Sequence, residues 1–136
     1  MIMKKVVFVL IILAILACGM SASFAAEHVN NTTDLNKAIE QAHAQNKSIM
    51  LLFDQDDCYY CHEMKEKTLS NPDVISKLNE GYITVIIDVN EQTNIASKYK
   101  VFGTPTTIFL DSNQKQIGKI EGYVGADEFL NTLKGI

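Results

Sequence analysis

The chain has 136 residues, 47% of them hydrophobic, and its 12 basic side chains, all lysine, stand against 16 acidic ones for a formal net charge of −4. That length suits one compact domain and leaves no room for a second. The acidic balance argues against nucleic acid as a partner, and three cysteines are too few for a disulfide framework.

Residues 1–25 read as an export signal rather than as structure: Lys4-Lys5, an unbroken apolar run of 12 residues from Val6 to Ala17, then small residues ending in Ser23-Phe24-Ala25. The run falls short of the ~20 residues of a membrane-spanning helix, so cleavage near Ala25 is expected, with a retained anchor as the rival. Ile15-Leu16-Ala17-Cys18 is similar to a bacterial lipoprotein processing site, although Leu16 departs from the pattern, and offers lipid attachment at Cys18 as a membrane tether. Residues 26–136 then form the domain, with 10 lysines against 16 acids and only Cys58 and Cys61 remaining.

Residues 26–33 are polar and read as a linker or mobile N-terminus. Asn30, Asn31 and Asn46 each begin an N-x-S/T sequon, a pattern short enough to arise by chance. A helix capped by Thr33 or Asp34 follows, with Leu35, Ala38, Ile39 and Ala42 on one face and its end near Asn46. Ile49–Phe53 is a buried strand. Beyond Cys58 the pattern is helical, with Met64 and Leu69 inward, until Asn71-Pro72 opens another helix that stops at Gly81. Tyr82–Val89, β-branched and nearly all apolar, predicts a strand covered on both faces at the sheet centre. A helix over about 91–100, the strand Thr106–Leu110, a turn at Asp111-Ser112-Asn113-Gln114, a returning strand over 116–122 and a closing helix over 126–133 complete the chain. Phe53, Tyr82, Phe102, Phe109 and Phe129 fall at core phase and read as packing. The fold class is α/β, a mixed sheet with helices on both faces.

The richest stretch is Cys58-Tyr59-Tyr60-Cys61, directly after an apolar strand and a short acidic loop. A helix starting near Cys58 places both sulfurs in its first turn, where unpaired N–H groups and the positive end of the helix dipole favour a thiolate. Cys58 is then the exposed attacker and Cys61 the thiol that resolves a mixed disulfide.

CxxC at a strand-to-helix junction, with Gly103-Thr104-Pro105-Thr106 before a hairpin and Pro105 44 residues beyond Cys61, resembles the thioredoxin-fold superfamily over residues 33–136. Leu69–Val74, Ile86–Asn90 and Gly122-Tyr123-Val124-Gly125 are most similar to the exported thioredoxin-like group that includes the C-terminal periplasmic domain of the transmembrane thiol reductant conductor. The resemblance implies a thiol–disulfide oxidoreductase that needs no cofactor or metal, acts on protein thiols and disulfides as a monomer, and is recycled by a membrane electron donor. It implies that Pro105 is a cis-proline facing the disulfide, that Thr104 offers its backbone to an extended substrate beside Tyr59 and Tyr60, and that Glu63 assists proton transfer. Three positions depart from the pattern: Leu52 replaces a buried acid, Asp57 replaces a tryptophan, and Tyr59-Tyr60 replaces Gly-Pro. Asp54, Asp56 and Asp57 crowd Cys58 and oppose the helix dipole, with His62 and Lys65 partly countering them. That balance predicts a reductant or isomerase-like poise rather than a strong oxidant.

Two rivals share these residues. Cys58-x-x-Cys61-His62 is also a c-type haem attachment pattern, for which Met50 or His43 would have to be the distal ligand. A thioredoxin-fold adaptor or holdase would bind extended chains through the face around Thr104, Tyr59 and Tyr60 without redox turnover. Zinc at Cys58, Cys61 and His62 lacks the fourth ligand that a structural site needs.

Overall fold

The fold is seen in a computed structural model that describes residues 26 and 28–136. The expected export signal and Cys18 lie outside the described residues. In chain order the elements are β1 (Asn31–Thr32), α1 (Leu35–Gln45), β2 (Ser48–Asp54), α2 (Tyr59–Glu63), a π-helical turn (Met64–Thr68), α3 (Pro72–Gly81), β3 (Tyr82–Asp88), α4 (Thr93–Lys98), β4 (Thr106–Leu110), β5 (Gln116–Glu121) and α5 (Ala126–Lys134). Among the described residues no helix is long and apolar enough to cross a membrane.

Local chemistry sets most boundaries. The Asp34 side chain caps α1 by accepting from the Lys37 amide at 3.0 Å, and Asn46 ends it in the left-handed conformation, φ 51°. Asn71 caps α3, accepting from the Asp73 amide at 2.9 Å, with Pro72 in the first turn. The Asp111 carboxylate accepts from the Asn113 and Lys115 amides at 2.9 Å, closing the β4–β5 turn.

The five strands lie in the order β1-β3-β2-β4-β5. β3 runs parallel to both β1 and β2, while β4 is antiparallel to β2 and β5 to β4. One face carries Met50, Leu52, Phe109 and Ile120 under Met64, Leu69, Val74, Leu78 and Phe129 of the π turn, α3 and α5. The other carries Ile49, Leu51, Phe53, Val85 and Ile108 under Leu35, Ala38, Ala42 and Ala96 of α1 and α4. Alternation along each strand sorts the residues between these two cores. Phe109 joins the first core edge-on to both Tyr82 and Phe129, at 5.8 and 5.9 Å between ring centroids.

Several expectations are corrected. The centre of the sheet is β2, buried along all but its first residue, whereas β3 has only the two-residue β1 beyond it and is half-exposed at Tyr82, Ile83 and Ile86. Residues read as a mobile linker include β1, and Asn79 holds the segment before it: the Asn30 amide donates to Asn79 Oδ1 at 2.8 Å, and Asn79 Nδ2 donates to the His28 carbonyl at 3.0 Å. α4 begins later than expected because Asp88 Oδ1 accepts from the Asn90 amide at 2.7 Å and holds that stretch in a turn. Phe102, expected in the core, is 95% exposed. Its loop leaves the sheet before β4 begins, so helical and strand phases no longer apply to it.

Candidate active site

β2 delivers the chain to the redox pair. After Asp54 a three-residue loop turns, and Cys58 becomes the N-cap of α2 with φ −104° and ψ 104°. Its Sγ accepts from the Cys61 amide at 3.1 Å, the position a serine or aspartate oxygen takes in an ordinary cap. Its carbonyl accepts from the Cys61 and His62 amides at 3.1 and 3.2 Å. Cys58 and Cys61 are joined by a disulfide, S–S 2.08 Å. Cys58 is the more accessible of the two, but only slightly, at 7% against 1%. The attacking cysteine, expected to be exposed, is thus largely buried in the disulfide form.

The register of β4 on β2, Phe53 opposite Thr106, brings Thr104 and Pro105 to the same end of the sheet as the disulfide. The Thr104–Pro105 bond is cis, Pro105 is buried and Thr104 is half-exposed. The Pro105 carbonyl accepts from the Gly122 amide at 2.8 Å, and Thr106 Oγ1 donates to the Gly103 carbonyl at 2.7 Å, fixing the loop at both ends.

Tyr59 and Tyr60, 68% and 58% exposed, meet edge to face at 5.2 Å. Tyr60 also stacks on Tyr123 at 6.1 Å, which extends the aromatic surface onto the β5–α5 loop. Glu63 is ion-paired with Lys67 one turn on. This hydrogen bond and charge raise the Lys67 ammonium above its usual range, with smaller contributions from Tyr59 and Tyr123. His62 Nε2 donates to the Asp56 carbonyl at 3.0 Å and so closes the acidic loop over the start of α2.

The three acids of that loop are not equivalent. Asp56 and Asp57 are exposed, but Asp54 is buried, its Oδ2 2.6 Å from Lys65 Nζ and its Oδ1 accepting from the Gln55 amide at 2.8 Å. Lys65 therefore counters one acid directly. Leu52 is sealed into the first core opposite Thr107, whose hydroxyl is buried without a hydrogen-bond partner. For the haem alternative, both sulfurs are spent on each other, Met50 lies fully within the packed core, and His43 stands on α1.

The sequence marks Lys65 as one of two cations near the acids and Tyr123 as part of a loop motif, but not the Asp54–Lys65 pairing, the stack of Tyr123 on Tyr60 or the exposure of Phe102. The pairing and the stack arise only when the π turn and the β5–α5 loop are placed.

Two thiols that close on one another across the first turn of a helix, at the end of a central strand, have two-electron exchange as their chemistry. The sheet order and helix placement are those of the thioredoxin fold, and the chain is a thiol–disulfide oxidoreductase of that class. It belongs to the thioredoxin-like domain family, whose model matches residues 35–136. It is 30% identical over 112 residues to the thiol:disulfide interchange protein DsbD of Campylobacter jejuni, covering 79% of this chain and 19% of that one. Against DsbD of Photorhabdus laumondii it is 30% identical over 128 residues, 85% of this chain and 22% of that one. The chain thus spans about a fifth of the length of these relatives. Among solved structures, the C-terminal domain of Neisseria meningitidis DsbD in its oxidised form superposes with TM-score 0.64 at 28% identity, covering 80% of this chain and 97% of that one. A thioredoxin of Thermus thermophilus does so with TM-score 0.70 at 28% identity, covering 76% and 84%.

Proposed function

We propose that the chain is an extracytoplasmic protein-disulfide reductase or isomerase-like oxidoreductase, monomeric, with Cys58 as nucleophile and Cys61 as resolving thiol. In the dithiol form the Cys58 thiolate attacks one sulfur of a substrate disulfide. The substrate S–S bond breaks, and the departing sulfur takes up a proton. Cys61 then attacks Cys58 Sγ, forms the intramolecular disulfide and releases the second substrate thiol. Two electrons pass to the substrate, and a dithiol donor at the membrane returns them. The observation that carries this reading is the Cys58 sulfur in the N-cap position of α2, where the Cys61 amide already points at it from 3.1 Å and continues to do so for a thiolate.

The remaining residues take supporting roles. Thr104 offers its backbone to an extended substrate, held in place by the bonds that tie down Pro105 and Gly103. Tyr59 and Tyr60 supply aromatic contact area. Glu63 is assigned to proton transfer at Cys61, and Lys67 is its ion-pair partner one turn on. Asp56 and Asp57, exposed beside Cys58, disfavour the thiolate and so favour a low potential, although with Asp54 committed to Lys65 the acidic effect is smaller than three free carboxylates would give. The export-like residues 1–25 and the similarity to DsbD support an extracytoplasmic, periplasmic or membrane-tethered location.

Equilibration of residues 26–136 against glutathione and dithiothreitol buffers tests the direction. The expected midpoint lies well below the glutathione couple, and one well above it would refute a reductant. In the same domain Cys61→Ser is expected to accumulate mixed disulfides through Cys58, and failure to trap any would remove the assigned roles.

A further inference from the structure

Phe102 is not used by this mechanism. At 95% exposure it is the most exposed of the large apolar side chains among the described residues, and the core around it is complete without it. It forms one wall of a groove of about 360 Å³ whose other walls are Gln55, Val89, Val101, Gly103 and Thr104. Gln55 belongs to the loop that ends at Cys58, and Thr104 precedes Pro105, so the groove opens onto the redox end of the sheet. Val89 and Val101 pack on the core beneath α1 and α4, while Tyr60 stacks on Tyr123 over the core beneath α3 and α5. The disulfide therefore lies between two aromatic stations, the tyrosines on one side and Phe102 on the other.

We propose that Phe102 is a specificity-determining residue: it anchors a large apolar side chain of an extended substrate segment on one side of the substrate's disulfide cysteine. The inference rests on the reductase reading and adds to it the kind of segment preferred. Its occupant is the substrate polypeptide itself, because the groove is lined by Thr104 and by Gln55 of the loop into Cys58, the two segments that flank the site of disulfide exchange. An aromatic ring held in solvent at a binding edge is the kind of anchor that dominates interface energies when covered.

The test uses single-turnover reduction of symmetrical peptide disulfides by the prereduced domain. Each turnover breaks one peptide S–S bond, forms the Cys58–Cys61 bond and delivers two electrons and two protons to two peptide thiols. The peptides differ only in carrying leucine or serine two residues before or two residues after the cysteine. For the wild-type domain the leucine peptide is expected to react about tenfold faster than the serine peptide, at one of the two positions only. In Phe102→Ser that ratio falls to about one through weaker saturation rather than a slower limiting rate, and Phe102→Leu restores most of it. A leucine preference unchanged in Phe102→Ser overturns the inference while leaving the reductase reading intact. Failure of the wild-type domain to reduce any peptide overturns the reductase reading and this inference with it. Phe102 packs against nothing in the core, so the variants are expected to keep the parent Tm.

Discussion

Lys65→Met removes the cation from a buried carboxylate without disturbing the stem that fills the space beside the π turn. In the parent, Lys65 Nζ is 2.6 Å from Asp54 Oδ2, with side chains 37% and 12% exposed respectively. The substitution leaves Asp54 with the Gln55 amide as its remaining donor. Breaking a fully buried pair from one side costs about 3–5 kcal/mol, and an exposed pair is worth at most about 1 kcal/mol. With the lysine more than a third exposed and the aspartate not, the cost lies between, at about 2 kcal/mol. For a domain of this size that lowers Tm by ~8 °C, and with an m-value of about 1.5 kcal/mol/M it lowers the urea midpoint by ~1.3 M. Asp54→Asn combined with Lys65→Met removes the orphaned charge and is expected to recover more than half of the loss. Urea titrations of the oxidised protein and the three variants complete a double-mutant cycle. A Lys65→Met protein within about 0.5 kcal/mol of the parent, or a double variant no more stable than the single one, would refute a stabilising role for the Asp54–Lys65 pair.

Alkaline stability follows from two half-buried tyrosines. Desolvation raises the Tyr82 and Tyr99 hydroxyls above their ordinary value of about 10. Both folded-state groups hold their protons after the unfolded chain has released them, so stability is full below about pH 10 and declines as pH rises beyond it. Thermal unfolding between pH 9 and 11 should show this decline, and Tyr82→Phe/Tyr99→Phe should flatten it; an unchanged slope counts against the assignment. Phe129→Ala empties a fully buried site against Phe109 and is expected to cost about 3–5 kcal/mol, measured as a fall in urea midpoint at constant m-value.

The strands, the caps at Asp34 and Asn71 and the redox pair were legible in the sequence because each rests on local chemistry: alternating or continuous apolar runs, an oxygen placed before a helix, two thiols three residues apart. What escaped depended on elements meeting. β1 is too short to show a period and exists only through its pairing with β3. The π turn inserts a residue into the helix after Glu63, with the Leu69 amide donating to the Met64 carbonyl five residues back at 2.9 Å, and thereby buries Met64, Thr68 and Leu69 together. An apolar pattern alone gives the inward residues but not the extra one. β3 looked central because its sequence is the most β-branched, yet centrality belongs to whichever strand has full-length partners on both sides, and that is β2. Phe102 was placed inside by hydrophobicity and phase, neither of which applies in a loop between sheet and helix.

The direction of β1 has a consequence for how the domain can be presented. Asn31 lies opposite Thr84 and Thr32 opposite Val85 in a parallel register, so the chain enters the sheet heading toward Asp54 and Asp88, the end from which the redox loop springs. Between Thr84 and Asp88 the strand rises by roughly 13 Å, and the entry point lies behind that. The chain at Asn31 thus enters on the side of the sheet away from the end that carries the Cys58 loop. A tether drawn straight back from β1 would leave that end free for a partner arriving from the opposite direction.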